Sequence, residues 1–368
     1  MSIEHDIAAR FDLDGNDFVV RPYGHGLIND SFLVTAATGR RAILQRINRH
    51  VFPRPERIME NLRTLIDHVE RHKPTLGARD LRLPRILVTR DGKDYAVDRD
   101  GGFWRALGFI ENTRTFETLT NATQAEEVGF ALGRFHDLVH DLDPARLHQT
   151  LPRFHNAPGY FARFLRASAR PRVVVASREL LYCLAFVEAR WGLTRVLENA
   201  RRDGRLALRV IHGDTKLNNF LFDADSGRAV SLIDLDTVQP GLIHYDIGDC
   251  LRSCANPAGE SPADPGAVRF DLAVGRALLK SYVAGTRHFL APEDYRCLYA
   301  AIRLIPFELG LRFLTDYLEG DHYFKTERPG QNLYRARVQF ALVADIERQE
   351  GEIKALVAEL GGTGALRV

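Results

Sequence analysis

The sequence has little surplus of charge of either sign. Its 50 basic residues nearly balance 48 acidic ones, which leaves a formal net charge of +2 over 368 residues. No long run of Lys and Arg interleaved with aromatic residues occurs. Because extended basic surfaces are typical of proteins that bind nucleic acids or anionic membranes, the sequence argues against both partners and favours a small molecule.

Long apolar runs and clustered cysteines are also missing. No run of about 18 apolar residues predicts a membrane-spanning helix, and residues 1–6 do not begin a secretory signal. The four cysteines are too dispersed for a disulfide framework, and Cys250 and Cys254 lack neighbouring zinc ligands. We therefore expect a cytoplasmic protein with reduced thiols.

What the sequence does contain is a change of pattern near residues 111–114. Strand-like segments at 17–22, 31–36 and 41–47, a helix from Pro55 to about Arg71, and strand-like segments at 85–89, 94–98 and 103–110 precede that point. Mainly helical patterns follow it, starting with a predicted capping box at 123–126. The predicted class is α+β, with a small β-rich nucleotide-binding lobe (1–112) and a larger, mainly helical catalytic and substrate-binding lobe (113–368).

The most informative stretch is residues 212–219, His-Gly-Asp-Thr-Lys-Leu-Asn-Asn, which a second acidic cluster follows at 232–236. A turn signal at 225–227 lies between two strand-like segments. The resulting hairpin is predicted to return Asp234 to the neighbourhood of Asp214.

Phosphoryl transfer requires a carboxylate that accepts the proton of the substrate hydroxyl and oxygen ligands that hold Mg²⁺ on the phosphates. Asp214 suits the first role, whereas Asn219 and Asp234 suit the second. Lys216 can reach the transferring phosphoryl group. The combination predicts a kinase that uses ATP and Mg²⁺.

A glycine-containing loop at 24–31 lies between the first two strand-like segments. Gly24 and Gly26 would allow backbone amides to approach phosphate oxygens closely, and Asn29 lies on the same loop. Taken alone, the loop is better interpreted as an ordinary hairpin turn. Together with the downstream motif, it is predicted to bind the nucleotide.

The third strand should carry a cation for the α- and β-phosphates, paired with a carboxylate on the following helix. Gln45 occupies the position where alternation places this cation, and Arg46 is its neighbour. Glu60 is the most suitable helix partner. Arg46 and Glu60 are thus predicted nucleotide-binding residues, a surface Arg and Glu are the alternative, and the replacement for the usual lysine stays open.

These motifs resemble those of the aminoglycoside phosphotransferase and choline kinase superfamily, which has a protein-kinase-like two-lobed fold. The resemblance spans most of the chain and implies that Asp214 is the catalytic base and that Asn219 and Asp234 hold Mg²⁺. It also implies that Asp246 braces the catalytic loop. Lys216 departs from the superfamily, which usually has His there, and leaves a fixed positive charge near the γ-phosphate.

Longer strings resemble the N-acetylhexosamine 1-kinases within this superfamily. They lie at 44–48, 212–219, 233–242, 308–317 and 320–325. This resemblance implies that Arg312 and Tyr323 contact a sugar beside Asp214. Alternatively, Arg312 pairs with Glu308 one helical turn away, and Tyr323 only packs.

The charge of the C-terminal block supports a neutral sugar substrate. A pocket for a cation needs surplus carboxylates or an aromatic cage, but this block carries Arg303, Arg312, Lys325 and Arg328. The sequence therefore predicts an ATP- and Mg²⁺-dependent kinase that forms a sugar 1-phosphate from an N-acetylhexosamine. A kinase of another sugar or an amino alcohol, and a non-catalytic nucleotide-binding regulator, are the alternatives. The oligomeric state and the preferred epimer stay open.

Overall fold

The computed structural model describes residues 2–15, 17–24, 28–72, 79–172 and 177–362. These residues form a small antiparallel sheet lobe and a larger helical lobe. The predicted α+β, two-lobed fold class is confirmed. None of the helices in these ranges is long and apolar enough to cross a membrane.

The N-terminal lobe is built on one antiparallel sheet. Its strands run in the order β1-β2-β3-β6-β4, and β5 also pairs with β6. Their bounds are β1 (Phe18–Pro22), β2 (Asp30–Ala36), β3 (Arg41–Ile47), β4 (Ile86–Leu87), β5 (Ala96–Val97) and β6 (Phe103–Gly108). The first three lie within a residue of the predicted strands, because alternating apolar side chains and short turns define them locally.

The two faces of this sheet carry different side chains, because neighbouring side chains on a strand point to opposite faces. In the β3–β6 register, Gln45 lies opposite Arg105 and Arg46 lies opposite Trp104. The face with Trp104 packs in a small core with helix α1 (Ile3–Ala8). The face with Gln45 and Arg105 is therefore turned away from that core.

Helix α2 (Glu56–His72) joins the N-terminal lobe to the rest of the molecule. Its apolar residues belong to the main core of the protein. Asn61, which is 1 % exposed, donates from Nδ2 to the carbonyls of His148 and Val238 at 2.8 Å each and accepts from the backbone N–H of His148 at 2.8 Å. The position of the helix is thus fixed by both lobes.

The C-terminal lobe is mainly helical. Its helices are α3 (Ala122–Val139), α4 (Ala157–Ala169), α5 (Arg178–Arg190), α6 (Val196–Arg202), α7 (Ile243–Cys254), α8 (Leu272–Thr286), α9 (Pro292–Arg296), α10 (Leu298–Glu319), α11 (Gln331–Arg348) and α12 (Glu350–Leu360). Short strands complete it: β7 (Thr113–Arg114), β8 (Arg209–Ile211), β9 (Phe220–Asp223), β10 (Ala229–Leu232) and β11 (Gln239–Gly241). Helix α10 packs on α4, α7 and α11.

Two local predictions need correction. Helix α3 begins after Asn121, whose Oδ1 accepts from the N–H of Gln124 at 2.9 Å, so the cap lies two residues before the predicted box. The helical stretch predicted over 179–200 is interrupted by a 3₁₀ turn at Trp191–Arg195. The lobe boundary at 112/113 stays a proposal, supported by the pairing of β7 with β9 in the C-terminal lobe.

Candidate active site

The β9–β10 hairpin brings the two acidic motifs together. Phe220 pairs with Leu232, and the N–H of Ile233 donates to the carbonyl of Asn219 at 2.9 Å. Asp234 follows immediately and has a left-handed backbone (φ +66°), a conformation uncommon outside glycine but better tolerated by Asp than by most residues. The structure therefore places Asp234 beside Asn219, as the turn signal predicted.

The loop before Asp214 is held by Asp246, which is fully buried on α7. Its carboxylate accepts from the backbone N–H of His212 at 2.7 Å, from that of Gly213 at 2.8 Å and from His136 Nε2 at 2.9 Å. Burial alone would raise the pKa of Asp246, but the bond from His136 and the other contacts hold it below its usual range. Asp246 thus stays ionised and fixes the loop.

Gly213 shows why the loop has its sequence. Its φ is +87°, and an added Cβ would lie 2.8 Å from the carbonyl oxygen of Thr237. A side chain there would meet both backbone strain and a backbone clash. Glycine therefore allows the close approach that positions the next residue, Asp214.

Asp214, Lys216 and Asn219 form one hydrogen-bonded group. Lys216 Nζ lies 2.6 Å from Asp214 Oδ2, and Asn219 Nδ2 donates to the same oxygen at 3.1 Å and to the Asp214 carbonyl at 2.8 Å. Desolvation opposes ionisation of Asp214, but the charge of Lys216 and its hydrogen bond hold the pKa of Asp214 below its usual range. The group is therefore a carboxylate at neutral pH and available to accept a proton.

Asp234 has the electrostatics of a cation ligand. Burial, followed by the neighbouring charge of Asp236, raises the pKa of Asp234 to about 7. A positive ion at this place would stabilise its ionised form. Because Asp214 uses the amide nitrogen of Asn219, the Asn219 amide oxygen remains available as a second ligand. Carboxylate and amide oxygens suit Mg²⁺, so these residues fit the predicted metal.

The predicted pair of Arg46 and Glu60 is corrected by the structure. Arg46 is exposed and lies on the sheet face with Trp104, its guanidinium 5.8 Å from the indole ring centroid. Glu60 is exposed too and pairs with His148 Nε2 at 2.7 Å. The reason is the alternation of the strand, which turns the neighbour of Gln45 to the opposite face.

Arg105 on β6 is a buried cation that the sequence analysis did not consider. It is 1 % exposed and forms an ion pair with Asp236. Its Nε and Nη2 donate to Gln45 Oε1 at 3.0 and 2.7 Å, and Gln45 Nε2 donates to Ser31 Oγ at 3.0 Å. Within the described ranges, Arg105 Nη1 is buried without a hydrogen-bond partner. An unsatisfied buried donor costs about 1–3 kcal/mol.

Asn29 connects the glycine-containing loop to Asp236, the residue that pairs with Arg105. Its Nδ2 donates to Asp236 Oδ2 at 2.7 Å, and its Oδ1 accepts from the N–H of Asn48 at 3.0 Å. Gly24 has a φ of +75° with open space where a Cβ would be. Gly26 lies outside the described residues. Asn29 thus connects this loop to Asp236, and its role in nucleotide binding stays a prediction.

Arg312 lies in a separate cavity of about 230 Å³. Its guanidinium carbon is 5.2–5.8 Å from the centroids of four aromatic rings, those of Phe154, Tyr160, Tyr323 and Phe324. At these distances a guanidinium interacts favourably with ring faces. The protein's own cation therefore occupies an aromatic cage.

His155 connects this cavity to the catalytic loop. Its Nδ1 lies 3.0 Å from Glu308 Oε1 and its Nε2 lies 3.4 Å from the carbonyl oxygen of Gly213. Burial alone would lower the pKa of His155, but the charge of Glu308 raises it above the usual value. Because both ring nitrogens face acceptors, the protonated form of His155 is favoured. Glu308 contacts His155. The alternative considered from the sequence, an ion pair between Glu308 and Arg312, is therefore not what the structure shows.

Asp316 holds the segment that carries Tyr323. Its buried carboxylate accepts from the backbone N–H groups of His322 (3.0 Å), Tyr323 (2.8 Å) and Phe324 (2.9 Å) and from Asn332 Nδ2 (3.0 Å). With four donors, this carboxylate is saturated. Tyr323 is 44 % exposed at the cavity, so its ring is presented to the cavity rather than packed in the core.

A family model described as "Phosphotransferase enzyme family" matches residues 19–282, from the first strand to helix α8. The chain belongs to this family. The match covers the glycine-containing loop and the loop of Asp214, together with Asp234 and Asp246. The phosphotransferase class predicted from the sequence is thereby confirmed.

Solved structures show the same fold over nearly the whole chain. An aminoglycoside phosphotransferase from Alicyclobacillus acidocaldarius is 16 % identical over 96 % of this chain and 97 % of its own, with a TM-score of 0.59. An amicoumacin kinase in complex with AMP-PNP and Ca²⁺ is 17 % identical over 91 % of both chains (TM-score 0.58). A Plasmodium vivax ethanolamine kinase is 13 % identical over 88 % of this chain and 82 % of its own (TM-score 0.55).

Proposed function

We propose that the protein is an ATP- and Mg²⁺-dependent kinase that phosphorylates the anomeric hydroxyl of an N-acetylhexosamine, N-acetylglucosamine or N-acetylgalactosamine. The observation that carries the proposal is Arg312, held near four rings in a cavity. Phe154 lines that cavity, and its chain neighbour His155 contacts the carbonyl of Gly213 on the loop of Asp214. The resemblance of the sequence to N-acetylhexosamine 1-kinases supports the same substrate.

Turnover, rather than nucleotide sensing, is supported by the completeness of the transfer site. Asp214 is a carboxylate and Lys216 is a cation next to it. Asn219 and Asp234, which the β9–β10 hairpin makes backbone neighbours, are the proposed metal ligands. The amicoumacin kinase of similar fold binds AMP-PNP and Ca²⁺, which supports a nucleotide and a divalent cation here. A regulator without turnover would not need Asp214 in this state.

The chemistry required of the protein is modest. As the sugar oxygen forms its bond to the γ-phosphorus and the bond to the β-phosphate oxygen breaks, Asp214 accepts the hydroxyl proton. The anomeric hydroxyl is more acidic than other sugar hydroxyls, which eases this transfer. Lys216 stabilises the charge on the transferring group, and Mg²⁺ held by Asn219 and Asp234 would neutralise the phosphates.

The acceptor cavity favours a neutral ligand over an ammonium ion. An aromatic cage attracts a ligand cation, but Arg312 already occupies this one. The carboxylate of Asp316, which lines the same cavity, is saturated by four N–H donors. The free donors of Arg312 instead suit a hydroxyl or an acetamido carbonyl, and the ring faces suit the apolar face of a sugar.

Amino alcohols are the second candidate class. Solved structures of similar fold include an ethanolamine kinase and an aminopropanol kinase. Against this class, the positive charge of Arg312 lines the cavity and would repel the ammonium group of such a substrate. Arg163 lines the cavity too, but it pairs with Glu319.

A substrate panel separates these functions. Release of ADP from Mg-ATP is measured with N-acetylglucosamine, N-acetylgalactosamine, glucose, galactose, ethanolamine and choline. We expect activity with the N-acetylhexosamines and, in the product, phosphorus-to-proton coupling at C1 by NMR. Phosphate on C6, or activity confined to the amines, contradicts the 1-kinase assignment. Nucleotide binding with no turnover across the panel favours the regulator.

A further inference from the structure

We propose that Arg105 binds the nucleotide phosphates in place of the usual third-strand lysine, and that Asp236 holds it in place of the usual helix glutamate. The inference rests on the proposed use of a nucleoside triphosphate. It concerns a residue on β6, one strand away from the position where such a cation is expected.

The location of Arg105 suits this role. It pairs with Asp236, which lies two residues after the proposed metal ligand Asp234 and also accepts a hydrogen bond from Asn29 on the glycine-containing loop. Arg105 is therefore near both the loop and the metal ligand that a nucleotide tail would contact.

The hydrogen-bonding capacity of Arg105 is only partly used. A guanidinium has five N–H donors. Nε and Nη2 donate to Gln45 and Nη2 also forms the ion pair with Asp236, whereas both hydrogens of Nη1 lack a partner in the described part of the chain. Buried guanidinium nitrogens without a hydrogen-bond partner also occur on Arg134, Arg209 and Arg303, so the free edge of Arg105 supports the role through its position beside Asn29 and Asp234. Phosphate oxygens are its natural partners, since Arg binds phosphate through two neighbouring donors.

Gln45 explains how the sheet accommodates an arginine on β6 in place of a lysine on β3. The β3–β6 register places it opposite Arg105 on the same face of the sheet. A lysine there would face the guanidinium with a like charge, which is destabilising for directly opposed residues. Gln45 instead orients Arg105 by accepting its hydrogen bond at Oε1, and the Nε2 of Gln45 donates to Ser31 Oγ. Gln45 and Arg105 together thus perform the task of one lysine.

On helix α2, the predicted partner carboxylate of Glu60 is engaged elsewhere. Glu60 pairs with His148, and the next residue, Asn61, binds backbone groups of the C-terminal lobe. Asp236, which is buried and two residues beyond Asp234, is the acid that meets Arg105. The carboxylate that pairs with the cation is thus Asp236, which follows the proposed metal ligand Asp234, and not a residue of the helix.

The test compares the binding of Mg-ADP with that of adenosine by isothermal titration calorimetry. Arg105→Gln should weaken Mg-ADP by about 10- to 100-fold, the range expected for a hydrogen bond to a charged group, and leave adenosine within about twofold. Arg40→Gln is the matched control, because Arg40 also forms an Arg–Asp pair in the N-terminal lobe, with Asp14, at the exposed β2–β3 turn. It should change neither affinity.

A buried charge left without its partner can prevent folding, so a second variant carries both Arg105→Gln and Asp236→Asn. It too should lose affinity for Mg-ADP while retaining adenosine. An unchanged ratio of the two affinities in whichever variant folds overturns the role of Arg105 and leaves the kinase proposal intact. Failure of the wild-type protein to bind Mg-ADP or Mg-ATP at all overturns both.

Discussion

Replacing Asp214 with Asn isolates the proposed proton acceptor from the rest of the site. The amide has nearly the same size but no negative charge. Loss of a general base costs about 10²–10⁴ in rate, which corresponds to about 2.7–5.4 kcal/mol in the activation barrier. We expect kcat to fall by this factor at saturating sugar and Mg-ATP.

The same substitution should leave the fold intact. Asp214 is 27 % exposed and its partner Lys216 is 36 % exposed, so water can solvate the ammonium group once the carboxylate is gone. The brace from Asp246 binds the backbone of the loop and does not involve the Asp214 side chain. The melting temperature and the affinity for Mg-ADP should therefore stay close to those of the wild type.

The assay follows ADP release with N-acetylglucosamine. Asp225→Asn is the control, because it makes the same chemical change at the exposed turn of the same hairpin and should be neutral. A folded Asp214→Asn variant that keeps kcat within about tenfold of the wild type, below the range for a general base, would refute the assigned role.

Four further substitutions test the proposed metal ligands, the cavity around Arg312 and the charge of His155. Asp234→Ala should raise the Mg²⁺ concentration needed for half-maximal activity more than Asn219→Ala, because it removes a charged ligand; unchanged Mg²⁺ dependence in both would place the metal elsewhere. Arg312→Ala should lower kcat/KM for N-acetylglucosamine by roughly 10- to 100-fold without changing the KM for ATP, and equal losses for both substrates would contradict a sugar-specific contact. His155 has a raised pKa because of Glu308, so its stabilisation is complete below the unfolded value of about 6.5 and is lost as pH rises through the folded pKa. The free energy of unfolding lost in His155→Gln should accordingly be larger at pH 6 than at pH 9 in urea titrations, and equal losses would show that the ring is uncharged.

The positions of Asp214, Asn219 and Asp234, the proposed base and metal ligands, could be predicted because the information that places them is local. The β9–β10 hairpin alone brings Asp234 to Asn219, and its turn and strands are legible in the sequence. The N-terminal strands could be predicted for the same reason, since alternation and short turns define each of them.

The position of Arg105 could not be predicted from local sequence in this way. Arg105 and Gln45 are separated by 60 positions, and the β3–β6 register depends on how the whole sheet assembles. An Arg between Trp104 and Ala106 in an apolar strand was a signal, but only the structure identifies Asp236 as its partner. The prediction of Arg46 relied on its proximity to Gln45 in sequence, but adjacent side chains on a strand point to opposite faces of the sheet.

The ring cage around Arg312 has a consequence for how this scaffold can change specificity. Four aromatic faces that now stabilise an internal guanidinium would, after its removal, form an empty receptor for an external cation. The walls of the cavity would not need rebuilding, because the same rings can stack on a sugar or enclose a quaternary ammonium group. A single codon change could thus reverse the charge preference of the acceptor site, and selection or laboratory evolution toward choline-like substrates should pass through position 312 first.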